Sequence, residues 1–408
     1  MRAGIFCTIL AVALGVSSAA QAAVCGSDGH PVVYIVGTGK AYVAALAKPL
    51  YTDPNPITLA WIGTGSCTAV SGILTDQPIA PLVQTNPATG SAFIFPPSAT
   101  GDVTCTIPAL DAGTVLMDIA ASDVFATTCG NLPNGLPPDL GDFFGPVQPM
   151  GFIVPKASHQ TSISATAAYF LYGLGAAAGN IAPWTDDGFI YKRVASSGTV
   201  QLISAGIGVP ADKWHGSLPP NGGLDKDMAA VVSGSAQPEK TIGVLAMPFL
   251  NTDPNLPLQL SVLAYKHYGQ QCAYYPDSTP TSRDKANVRD GHYALWGPVH
   301  FLAKLDSNGN IRNPNAKRVV DYLTQVTPPP GKIDLIQFDA QNYLVPSCAM
   351  KVKRATEIGP MTPFAPPNAC GCYYEQVGTG ATSCKACTGN QDCDKQKPVC
   401  SYGFCEAQ

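Results

Sequence analysis

VVYIVGTGKAYVAALAKPL, residues 32–50, decides how the chain folds. Val32 to Val36 is an unbroken apolar run, too short for a helix and closed by Gly37-Thr38-Gly39. The residues after it, KAYVAALAKPL, are rich in the helix formers Ala and Leu. ITLAWIG (57–63) repeats the pattern and leads into Thr64-Gly65-Ser66, and TVLMDIAASD (114–123) ends on Ser122-Asp123. MGFIVP (150–155), TIGVLAM (241–247) and KIDLIQF (332–338) read as further strands. Strands apolar at every position are buried on both faces, as in parallel sheets. Their alternation with helical stretches predicts an α/β fold. In such sheets ligands bind beyond the carboxyl ends of the strands, where these Gly, Ser and Asp residues fall. Each is also an ordinary turn former.

Only 13% of the 408 residues are charged, against roughly 25% in an average soluble protein. The net charge of −4 and the lack of any Lys/Arg run argue against nucleic-acid binding. The first 22 residues carry Arg2, an apolar run from Ile5 to Val16 and an Ala20-Gln21-Ala22 cleavage site. That is a signal peptide. The expected location is therefore the periplasm, or the extracellular space or cell surface, with the protein soluble after cleavage.

Of fourteen cysteines, Cys7 lies in the leader, six lie in the body and seven follow residue 369. In an exported protein these predict disulfides, and the odd count leaves at least one thiol over. EIGPMTPFAPPNAC (357–370) reads as a Pro-rich linker, and the tail beyond it as a small stapled module. A zinc reading also exists, with Cys370, Cys372, Cys384 and Cys387 as thiolates. DKANVRDGHY (284–293) reads as a solvated loop, and Trp61, Trp184, Trp214 and Trp296 as packing residues.

YKRVASSGT (191–199) places Arg193 four residues before Ser197-Gly198-Thr199. A guanidinium fork, two hydroxyls and a flexible backbone suit an oxyanion. The same string is also a polar turn carrying a surface arginine.

Taken in order, VGTGKAY (36–42), GTGSCTAV (63–70), DIAASD (118–123), RVASSGT (193–199), TIGVL and GHYALWGPVHF (291–301) resemble the phosphate-binding protein of bacterial ABC phosphate importers. That protein is a type 2 periplasmic binding protein. The resemblance implies a monomer of two lobes with a hinge. Residues 23–125 and 250–356 would form the first lobe and 126–249 the second, before the 357–369 linker and the 370–408 tail. It implies that Thr38, Gly39, Ala41, Ser66 and Asp123 meet Arg193, Ser197, Gly198 and Thr199 around inorganic phosphate or a related oxyanion. An ABC permease would be the partner. Asp123 would accept the proton of hydrogen phosphate and so discriminate against sulfate, and could pair with Arg193; alternatively it caps a helix. The chain departs from the family at Ala41, where a hydroxyl residue is usual, with Lys40 before it. It departs again in insertions near 75–105 and 264–289 and in the tail.

No cofactor is expected. The six histidines are scattered without paired metal spacing, and no G-x-S-x-G elbow occurs, so an enzyme such as a phosphatase is the weaker reading. A surface adhesion or partner-binding protein that keeps the fold without transport is the other alternative, with the tail as its support.

Overall fold

The computed structural model describes residues 23–79, 92–94, 103–107, 115–130, 132, 134–251 and 254–407. The leader, and much of the insertion expected near 75–105, lie outside them.

β1 (Val32–Gly37) leads into α1 (Lys40–Tyr51), β2 (Thr58–Gly63) into α2 (Ser66–Leu74), and β3 (Ile119–Ser122) follows. β1 pairs in parallel with β2 on one side and β3 on the other. Alternate residues serve opposite faces. Val33, Ile35, Leu59 and Trp61 pack with α1, and Tyr34, Val36, Ala60 and Ile62 with α2. Burial on both faces is why these strands are apolar throughout.

β4 (Leu140–Pro155) is the element that makes two lobes from one chain. α3 (Ala165–Gly179), α4 (Gly198–Ile207) and α5 (Asp225–Ser233) follow it, then β5 (Gly243–Ala246), β6 (Leu260–Val262) and β7 (Trp296–Lys304). The first part of β4, to Pro149, pairs antiparallel with β7, which also pairs with β3. Its remainder pairs with β5 and β6 in the second lobe. β6 still pairs with the later part of β4, and β7 is the strand that returns to β3. The result is the two-lobed α/β arrangement that the family resemblance implies.

α6 (Pro314–Leu323) covers the first lobe, and α7 (Leu335–Gln341) and α8 (Gly371–Thr379) complete the chain's main helices. KIDLIQF is thus not a strand. Asp334 caps α7 by accepting from the Gln337 N–H, and Leu335, Ile336, Asp339 and Ala340 form a buried helical stripe. The segment 284–293 is not a solvated loop either. Lys285 and Arg289 are buried, paired with Asp277 and Glu375 at 2.7 Å each.

The 357–369 segment lies against the body rather than hanging free. Glu357 accepts from the Phe125 N–H at 3.1 Å. Beyond it, Tyr374 of α8 is fully buried and donates to the Leu344 carbonyl at 3.0 Å. The disulfides are Cys25–Cys105, Cys67–Cys129, Cys348–Cys370, Cys372–Cys384, Cys387–Cys400 and Cys393–Cys405. Among the described residues Cys272 is the free, exposed thiol. The four cysteines of the zinc reading are all consumed by disulfides.

Candidate functional site

A cavity of about 460 Å³ lies between the lobes. Thr38, Gly39, Ala41, Ser66, Asp123, Arg193, Ser197 and Gly198 line it; Thr199 does not. The two lobes meet directly beside it, where the Cys67 N–H donates to the Ser196 carbonyl at 3.2 Å.

Three helices begin at the cavity. α1 starts after Gly39, whose φ of 78° is left-handed and suits glycine. α2 starts after Gly65 and α4 after Ser197, and none of the three has a side-chain cap. Their N-terminal N–H groups and dipoles make the region favourable for negative charge. Ser197 is the informative one. Serine at this position normally caps the helix. Its Oγ instead is buried without a hydrogen-bond partner.

Gly198 is required by close approach. A Cβ there would come within 2.4 Å of Ser66 Oγ and 2.7 Å of Asp123 Cβ. Ser66 and Asp123 are themselves tied together: the Asp123 N–H donates to Ser66 Oγ at 3.1 Å, and that hydroxyl donates to Asp123 Oδ2 at 3.4 Å. The carboxylate's other oxygen, Oδ1, is buried and unpartnered. Burial pushes the Asp123 carboxyl above its ordinary value. Thr38, Gln148 and Arg193 partly offset this, and the Asp225 charge adds to it.

Arg193 is not paired as expected. Its Nη1 donates to Asp225 Oδ1 at 2.6 Å and to Thr199 Oγ1 at 3.0 Å, while Nε is buried without a partner. Thr199 thus stands behind the guanidinium and orients it. Asp225 opens α5, its carboxyl raised by burial and pulled back by Arg193. The pair was hidden in the sequence because 32 residues separate its members. The acids Asp225 and Asp227 after Asn221-Gly222-Gly223 were its only trace.

Other residues escaped the reading of the sequence. Gln148 is buried on β4 with Nε2 unpartnered at the cavity; a lone amide in the run PVQPMGFIV was its signal. Trp61 is more than a packing residue. It lines the site, donates to the Thr38 carbonyl at 3.0 Å, and carries Lys40 Nζ 5.9 Å from its ring centroid. The other three tryptophans are buried as expected. Ala41 brings no polar side chain to the cavity, and Lys40 beside it supplies a cation.

No family model and no curated protein matches the chain in sequence. Solved structures do. One is a protein from Clostridium perfringens assigned as a phosphate ABC transporter substrate-binding protein, with bound phosphate; it is 13% identical, with a TM-score of 0.47, over 77% of this chain and 99% of that one. Another is an ABC-type phosphate transport receptor from Vibrio cholerae, 15% identical with a TM-score of 0.43, over 71% of this chain and 93% of that one. The reduced regulatory domain of OxyR from Pseudomonas aeruginosa is also similar, at 9% identity and a TM-score of 0.38, over 73% of this chain and 98% of that one.

Proposed function

We propose that the chain is an extracytoplasmic solute-binding protein that captures a small tetrahedral oxyanion, phosphate in the first instance, between its lobes. One observation carries the reading. Asp123 Oδ1, Ser197 Oγ and Arg193 Nε are all buried and unpartnered at a cavity where three uncapped helices begin. Buried polar groups left unpaired cost about 1–3 kcal/mol each. A protonated oxyanion satisfies both kinds at once: its oxygens accept from Arg193, Ser197 and the N–H groups at Thr38–Ala41 and Gly198, and its hydroxyl donates to Asp123. Lys40 takes the place of the hydroxyl that Ala41 lacks. Ser66 acts one step back, fixing the Asp123 carboxylate. Thr199 and Asp225 hold the guanidinium fork.

Export is supported by the leader and by six disulfides, which persist in oxidising compartments. Among the described residues no helix is long and apolar enough to cross a membrane. Delivery to an ABC permease is the transport role this reading carries.

The test is calorimetry on protein stripped of endogenous ligand, titrated with phosphate and sulfate. Wild type is expected to bind phosphate one-to-one and to reject sulfate. Asp123→Asn is expected to weaken phosphate modestly and admit sulfate, because the amide is uncharged and can turn its NH2 donor towards an unprotonated ligand oxygen. Equal binding of both anions by wild type would make Asp123 a structural residue.

A further inference from the structure

The cavity is larger than its anion site. About 460 Å³ lies within the range of ~300–1,000 Å³ for pockets that enclose drug-sized molecules, and one tetrahedral anion does not fill it. The anion-binding groups are gathered tightly, since Gly198, Ser66 and Asp123 are within van der Waals contact of each other. Much of the remaining wall is apolar: Trp61, Pro146, Pro248, Phe249, Val299 and Leu344. These come from both lobes and from the segment beneath α8. A site shaped for a free, strongly hydrated ion gains nothing from such a wall, whereas an organic group does, at roughly 25 cal/mol per Å² of apolar surface buried.

We propose that the physiological ligand is an organic phosphate, a monoester or phosphonate whose apolar or aromatic group lies against Trp61 and Phe249 while its phosphoryl oxygens take the Arg193–Ser197–Gly198 end. This inference rests on the oxyanion reading above and narrows it. The proton balance also fits. A phosphomonoester has its second pKa near ~6, and its monoanion carries one proton, as hydrogen phosphate does. That proton is donated to Asp123 Oδ1, which is buried and has no other partner. Inorganic phosphate brings its own proton to the same place, so Asp123 serves either ligand and the apolar wall distinguishes them.

The experiment is competitive calorimetry on the stripped full chain with phenyl phosphate, phenylphosphonate and inorganic phosphate as probes. Phenyl phosphate or phenylphosphonate is expected to bind at least tenfold tighter than inorganic phosphate, and Phe249→Ala to reduce that preference by about tenfold. The two organic probes differ only in the bridging oxygen, so their ratio tells ester from phosphonate. Inorganic phosphate binding as tightly as both organic probes would overturn this inference and leave the oxyanion reading standing. If neither phosphate nor the organic probes bind, the oxyanion reading itself falls and takes this inference with it. The wild-type comparison decides the matter even if Phe249→Ala misfolds.

Discussion

Gly198 shows how much of the site depends on one absent methyl group. With no Cβ it lets the start of α4 close onto Ser66 and Asp123. Gly198→Ala therefore acts on the closed arrangement, while each lobe keeps its own core. We expect at least a tenfold loss of phosphate affinity, about 1.4 kcal/mol, with the thermal midpoint of the unliganded protein little changed. Calorimetry beside solution scattering checks this; undiminished affinity would mean the lobes need not approach so closely. A second residue makes a prediction in pH. Asp339 is fully buried on α7, with Oδ2 accepting from Gln325 Nε2 at 2.7 Å and Oδ1 unpartnered. Burial raises its carboxyl well above the ordinary value, and the Asp334 charge adds to this. A raised acid costs nothing while both folded and unfolded forms are protonated, below about pH 4. Above that its cost grows by roughly 1.4 kcal/mol per pH unit until the folded group ionises. The stability of Asp339→Asn relative to wild type should therefore increase as pH rises from about 4 to 7. A difference in melting temperature that stays flat across that range would show Asp339 ionising normally.

Among elements, α8 carries the clearest consequence. Tyr374 is buried against the α7 region, Cys370 is bonded to Cys348, and Glu375 pairs with the buried Arg289. Arg289 also donates from Nε to the Ala349 carbonyl at 3.0 Å. Removing residues 361–408 would leave that guanidinium without its carboxylate, a loss of roughly 3–5 kcal/mol, and uncover apolar surface besides. We expect the truncated chain to melt at least ~6 °C lower and to bind phosphate more weakly, because Leu344, which accepts from Tyr374, lines the cavity. A truncation as stable as the full chain would return the tail to the role of an appended module. The sequence suggested that role because Pro-rich composition speaks only for local stiffness. Contacts such as Tyr374 to Leu344 and Arg289 to Glu375 link distant positions and leave no local pattern. The β1–α1 and β2–α2 units were legible for the opposite reason. Their burial on two faces and their glycine turns are written within twenty residues. KIDLIQF misled because a short apolar run fits either period, and only the Asp334 cap favours a helix. At the site, Asp123 was legible as a turn residue after an apolar run and Ser197-Gly198 by their spacing from Arg193, whereas the Arg193–Asp225 pair joins positions 32 residues apart and leaves no local pattern.

At the scale of the molecule, β4 and β7 tie the lobes into one object. The cavity, the crossing strands and the docked C-terminal helix are neighbours: Leu344 lines the cavity and accepts from Tyr374 of α8. The order of strands in the first lobe has a further consequence, in time rather than in space. β3 finishes at Ser122, yet its neighbour β7 is not complete until Lys304. At ~5–20 residues per second, roughly 10–40 s of synthesis separate the two. Throughout that interval one edge of an apolar parallel sheet has no partner, the condition under which chains pair with their neighbours instead of themselves. In the growing chain the β3 edge therefore stays open until β7 arrives in the last third of the sequence.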